Sequence, residues 1–298
     1  MKAVRRSSGL STIEVVTVIA LTGVLSVGLA GILRHPMQGH AAVSRRAELV
    51  DLADLALLRM SRDLRMALPN SVRVDGTRTA IELLHVAGGA RYRAEPGIND
   101  AGGPGEADHT DANDFLSFAG DARWNLLGRI SGLAIAYDTP LASGSRIAIY
   151  PTGSEIWSDA AADTSPAIIT ASTNRITFRD DGDEDQIELA SAHRFSHVSP
   201  RARLYLVDGP VTYLCDAASG VLWRIDGYAI AAGQPTDLSA APLASGRQAQ
   251  TGDRIERCVF DFVPGTPSRS GLVTLEIVIA NAGERVRLLQ QVPIPNAP

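Results

Sequence analysis

The chain has 298 residues, 45% of them hydrophobic and 20% charged, which is enough for one large domain or two small ones around a sizeable core. Its formal net charge of -5 lacks the basic excess that a nucleic-acid partner demands. The two cysteines, Cys215 and Cys258, are too few and too far apart for a zinc site, whose ligands come in closely spaced pairs.

In chain order, the first segment, residues 1–9, is short, polar and basic through Lys2, Arg5 and Arg6. Residues 15–33 then form an apolar run without a single charge. As a helix this run is roughly 28 Å long at ~1.5 Å per residue. That nearly matches a hydrocarbon core of about 30 Å, so the run can span a membrane. Arg34, His35, Pro36 and Gly39 follow, and Pro36 predicts a kink or break, because proline lacks an amide hydrogen and clashes with the preceding turn. Beyond it, Leu49, Ala53, Leu57, Met60, Leu64 and Leu68 recur at helical spacing and form one apolar stripe, widened by Leu52 and Ala56. Leu55 and Leu58 fall off the stripe, and Pro69-Asn70 is expected to stop the helix.

From Ser71 the pattern changes to short strands separated by turn residues. Asp75-Gly76, the Asp/Gly run at 180–183, Asp208-Gly209-Pro210, Ser219-Gly220 and Asn281-Ala282-Gly283 each stand between, or lead into, strand-like segments. In series they predict hairpins and an antiparallel sheet. Residues 96–114 and 232–253 read as loops. The expected class is α+β: a long N-terminal helix, with a membrane half at 10–33 and a soluble amphipathic half at 34–68, packed on a β-rich head at 69–298. If the head lies outside the cytoplasm, Cys215 and Cys258 can oxidise, closing a loop worth roughly 4 kcal/mol on the chain-entropy scale. The alternative is a pair of buried free thiols.

Between the basic segment and the apolar run stands Gly9-Leu10-Ser11-Thr12-Ile13-Glu14. Here the chain resembles the type IV prepilin family. The resemblance implies a leader, residues 1–9, that a membrane prepilin peptidase removes between Gly9 and Leu10, followed by N-methylation of Leu10. Glu14 becomes the fifth mature residue. The family commonly has Phe at the first mature position and Thr-Leu at the next two, where this chain has Leu10, Ser11 and Thr12. A carboxylate at the centre of a membrane helix costs roughly 2.5–3.5 kcal/mol, less near an end, and needs a partner. The resemblance supplies one, the N-terminal amine of a neighbouring subunit, and gives Glu14 the role of setting assembly register.

Local readings of the same residues exist. Ser11-x-x-Glu14 is also a capping box, and Glu14 in a first turn favours the helix dipole. A secretory signal peptide ending near Gly28-Leu29-Ala30 would have a shorter apolar stretch directly after its basic region. A plain single-span anchor fits the length, and the charges on the two sides do not fix its orientation.

The segments at 45–51, 57–65, 68–74 and 207–215 resemble the MshO class of minor pilins of the mannose-sensitive haemagglutinin (MSHA) pilus. That resemblance implies a single-pass inner-membrane protein with a periplasmic head, serving pilus biogenesis and cell adhesion. Its implied partners are other major and minor pilins, the prepilin peptidase, the inner-membrane assembly machinery and membrane lipid. The J-type pseudopilin of type II secretion shares the leader, the glutamate and a β-rich head. A membrane-tethered periplasmic binding protein or enzyme is the reading from another class.

No cofactor, catalytic or metal motif is read from the remaining residues. His193 and His197 stand four apart, a metal spacing only on a helix, and read as surface histidines. The acidic runs at 180–185 and at Asp108, Asp111 and Asp114 do not match a twelve-residue calcium loop and read as solvated turns.

Overall fold

The computed structural model describes residues 11–95, 115–130, 133–266 and 269–294, without the side chains of 30–42. Its architecture is mixed: an N-terminal apolar helix on a β-rich antiparallel head. Helix α1 (Thr12–Arg65) is 54 residues long, about 80 Å at ~1.5 Å per residue. It runs through Pro36 without the expected break, because one missing backbone bond does not end a helix whose flanking turns continue. It stops at Arg65, not Leu68. Residues 66–68 leave the helix to run beside the next strand, where the Leu68 amide donates to the Leu84 carbonyl and the Val86 amide to Met66. Pro69 reinforces this, since the residue before a proline avoids helical geometry.

Among the described residues the head contains three antiparallel sheets. The first joins, in order, β1 (Arg73–Val74), β2 (Ala80–Arg91), β7 (Arg203–Asp216), β8 (Val221–Asp226) and β9 (Arg247–Gly252), with β4 (Arg146–Ala148) also on β7. The second is β10 (Ile255–Val263), β11 (Gly271–Asn281) and β12 (Glu284–Ile294). The third is β3 (Asp121–Asn125), β6 (Glu184–His193) and β5 (Ile176–Asp181). A short helix, α2 (Glu155–Ala162), lies between β4 and β5 in the chain. The expected loop at 232–253 thus contains a short 3-10 turn and strand β9. The loop predicted at 96–114 lies outside the described residues.

The turns at Asp75-Gly76, 182–183, Ser219-Gly220 and Asn281-Ala282-Gly283 close hairpins as their residue types dictate. Asp208-Gly209-Pro210 does not. Strand β7 continues through it, and the pairing slips there: His85 faces Gly209 but Val86 faces Val207, leaving Asp208 as a bulged residue. The matching irregularity at Ala87 on β2 restores the register, so Gly88 faces Leu206. One edge of β7 also changes partner at this point, from β4 at 205–207 to β8 at 211–216.

The predicted stripe is buried. Leu49, Ala53, Ala56, Leu57, Met60 and Leu64 enter one core with Ile81, Leu83, Val211, Tyr213 and Leu222 of the first sheet, and with Phe260 and the inward residues of β11 and β12. Leu68 joins a separate cluster with Trp157 of α2, while Leu55 and Leu58 remain exposed. Strand β11 shows the period-2 alternation of a half-buried strand, with Val273, Leu275, Ile277 and Ile279 inside. Cys215 on β7 and Cys258 on β10 form a disulfide that fastens the first sheet to the second beside the helix core. A second large core, containing Trp124, Phe178, Ile187 and Phe195, supports the third sheet.

Two outcomes are expected. The double substitution Cys215→Ala and Cys258→Ala lowers unfolding stability by about 2–4 kcal/mol in urea titrations of the non-reduced protein. At the bulge, His85 Nδ1 donates to Asp208 Oδ1 at 2.8 Å. This bond raises the His85 pKa above 6.5, with burial opposing it and the Asp208 and Asp63 charges assisting. A histidine raised in the folded state contributes stability below its unfolded value and loses that contribution as pH rises through the folded one. Stability therefore falls as pH rises above the ordinary histidine value of 6.5. The His85 midpoint, followed by NMR, drops in Asp208→Asn.

Candidate assembly helix

The first half of α1 is built as a bare apolar rod. Every described side chain from Ser11 to Leu29 is exposed, Val27 to 76% and Ile13 to 72%. The window Thr12–Leu29 has mean hydropathy 2.0 and is long and apolar enough to cross a membrane. Its threonines do not spoil it: Thr17 donates its hydroxyl to the Glu14 carbonyl at 2.9 Å, and Thr22 to Val18 at 2.6 Å. Such back-bonding satisfies these two hydroxyls within the helix.

The start of the helix separates the two readings of Ser11 and Glu14. Ser11 occupies the N-cap with extended backbone geometry, and its carbonyl accepts from the Glu14 and Val15 amides at 2.9 and 3.1 Å. Its hydroxyl makes no capping bond. The reciprocal bond from Glu14 is absent too, so the capping box is not formed. Among the described residues the Glu14 carboxylate has no hydrogen-bond or ion-pair partner, and it is the one charge on the exposed rod. Gly9 and Leu10 lie outside the described residues.

The second half of α1 is held by packing and by a polar clamp that the sequence did not announce. Asp63 Oδ2 accepts from Tyr213 Oη at 2.9 Å and from Arg224 Nε at 2.7 Å. Arg224 also meets Asp226, which Arg247 pairs from the other side at 2.8 Å. Burial drives the Tyr213 pKa upward, and the Asp63 charge adds to it. Burial alone would lower the Arg224 value, but Asp63 outweighs it and holds the guanidinium charged. The pair between Glu48 and Arg254, at 2.8 Å, is exposed and contributes little. Nothing in the sequence marks Arg224 as an anchor, since an arginine alternating along a strand is ordinarily solvated.

The other predicted residues fall apart as a site. His193 ends β6 and is buried, with Nε2 3.2 Å from the Ala167 carbonyl and its pKa pushed down by burial. This corrects its reading as a surface residue, because the strand turns it inward against Phe195. His197 is exposed and off any helix. The acidic turn is neither a calcium loop nor simply solvated. Arg129 pairs with Asp180 at 2.7 Å, Asn125 donates to Asp181 at 2.6 Å, and Arg93 pairs with Glu184. Asp185 is fully buried and accepts from the Ile130 amide and the Tyr137 hydroxyl. Among the described residues no group of three or more His, Cys, Asp or Glu side chains is placed to hold a metal. Asp108, Asp111 and Asp114 lie outside them.

No protein-family model, curated protein or solved structure matches this chain.

Truncating the clamp by Asp63→Ala leaves the Tyr213 hydroxyl without its carboxylate acceptor and Arg224 with Asp226 alone. Loss of a charged hydrogen-bond partner at this depth costs about 2–3 kcal/mol. Denaturant titration of the variant is expected to show that loss, while Glu48→Ala shifts stability by less than about 0.5 kcal/mol.

Proposed function

We propose that the chain is a minor pilin-like subunit of an MSHA-type pilus, of the MshO class, matured by a prepilin peptidase between Gly9 and Leu10 and methylated on Leu10. The observation that carries this reading is the division of α1. The half that adjoins Gly9 is bare and bears one partnerless carboxylate among the described residues, whereas the other half is locked into the head. An apolar rod of this length demands lipid or other rods around it.

In this reading the rod waits in the inner membrane as a single span, with the head in the periplasm. Cleavage exposes an amine at Leu10. The Glu14 carboxylate of one subunit pairs with the amine of its neighbour when both leave lipid for the filament core. A buried carboxylate is tolerated when paired and costly when not, so pairing rewards one axial offset and penalises others. Processing and register are then chemically linked. The size of the head, residues 69–298, fits a low-copy subunit near the initiating tip. The other pilins, the peptidase, the assembly machinery and lipid are its partners, and no catalysis is assigned to it.

Mass spectrometry of the native protein is expected to find an N-terminus at Leu10 carrying a methyl group. An intact Met1, or a start near Gly31, overturns the reading. Glu14→Val is expected to leave the protein in the membrane and block its entry into filaments. Normal entry refutes the register role and favours a membrane-tethered binding protein. Recovery with sheared surface filaments supports the pilus, and recovery only with a type II secretion complex supports the J-type pseudopilin.

A further inference from the structure

Where β7 changes partner from β4 to β8, the sheet edge is left open at Asp208-Gly209-Pro210, and a cleft of about 720 Å³ fills the gap. Its remaining walls come from the approach to β4, the C-terminal end of α2, residues 172–175 and the segment after β8. That volume is within the ~300–1,000 Å³ range of small-molecule sites and far exceeds the space of a single ion.

Arg146, at the first position of β4, lines this cleft with its side chain only 8% exposed. Part of its guanidinium has a structural task. Nη1 donates to the Ala160 carbonyl at 2.7 Å, closing the end of α2, and lies 3.2 Å from Asp163 Oδ1. The rest does not. Nη2 has no hydrogen-bond partner among the described residues, whereas Nε, also unpartnered, is sealed from the cleft. A buried guanidinium with unspent donors is a standing cost unless an acceptor arrives. Asp163 neutralises Arg146 from the Nη1 side and also accepts from the Ser172 amide and hydroxyl, both at 2.6 Å, while Asp208 Oδ1 accepts from His85.

The remaining uncommitted groups define the ligand. Arg175 lines the cleft, is exposed, and has no side-chain partner among the described residues. The hydroxyls of Ser143 and Thr173 are likewise uncommitted there. The free Nη2 of Arg146 and the uncommitted guanidinium of Arg175, beside free hydroxyls, match a carboxylate on a hydroxylated skeleton. We infer that the cleft is a binding site for a small carboxylate-bearing polyhydroxy ligand of the uronic-acid type, its carboxylate held by Arg146 and Arg175. This inference is independent of how the helix is processed or assembled.

Calorimetric titration of the full-length protein in detergent micelles tests it with three probes: D-glucuronate, D-glucose and inorganic phosphate. Glucuronate is expected to bind, and glucose and phosphate to bind at least about tenfold more weakly. Arg175→Gln and Arg146→Lys are each expected to weaken glucuronate by about tenfold, the lysine because it offers a point charge where the fork is needed. Arg175 makes no side-chain hydrogen bond or ion pair among the described residues, so its variant reports on the cleft even if changes at Arg146 disturb α2. Absence of glucuronate binding, equal binding of glucose or phosphate, or unchanged affinity in both variants overturns the assignment.

Discussion

Burial of one stripe of α1 inside the head is the constraint on which the rest depends. Leu49, Leu57, Met60 and Leu64 are each at most 2% exposed, and they touch residues of two different sheets. At about 1.5–3 kcal/mol per large apolar side chain, these four represent roughly 6–12 kcal/mol as an upper estimate. That is comparable to the whole net stability of a domain, about 5–15 kcal/mol. The head therefore does not carry the helix as a detachable stalk. Without the stripe, the facing residues of β2, β7 and the second sheet would be left with open apolar surface. The disulfide and the Asp63 clamp act at the same junction, one between the sheets and the other between helix and sheet. The soluble half of the helix is held against the head because helix and head share a core.

Much of this was legible in sequence because it rests on period and turn chemistry. The stripe has the helical repeat, and four of the turn signals close hairpins. The failures share a cause, which is that tertiary pairing overrode a local signal. Asp208-Gly209-Pro210 reads as a turn by composition. Yet β7 gains more by continuing, because β2 pairs it along its whole length and a compensating irregularity at Ala87 repairs the register. Residues 66–68 fit the helical stripe but give up helical bonds for pairing with β2. Strands β3, β4 and β10 and helix α2 were not predicted. β4 has only three residues and β3 five, too short for alternation to show.

Site chemistry was legible to a different depth. Ser11-x-x-Glu14 supports both a cap and an assembly contact, and no sequence pattern ranks them. The structure bears on the cap alone: the Ser11 hydroxyl makes no capping bond. Arg146 shows the opposite limit. In sequence it is an unremarked arginine before Ile147-Ala148. Its place in the proposal comes from the end of α2, the gap beside β8 and an Nη2 without a partner among the described residues, three facts separated along the chain and joined only by folding.

Strand β7 links these parts. Val211, Tyr213 and Cys215 face the helix core and the disulfide, while Asp208-Gly209-Pro210 of the same strand borders the cleft. A β-bulge changes local twist and leaves its residue unpaired, so it is the place where a strand can turn a side chain to another use without losing register beyond it. Asp208 is that residue here, and His85 holds it. Because Ala87 restores the pairing, the irregularity is confined between His85 and Gly88 on one strand and Leu206 and Gly209 on the other. The residues that grip α1 therefore keep their inward direction whatever occupies the open edge. A cleft can be placed in this sheet without loosening the helix because the slip that creates it is cancelled one residue later.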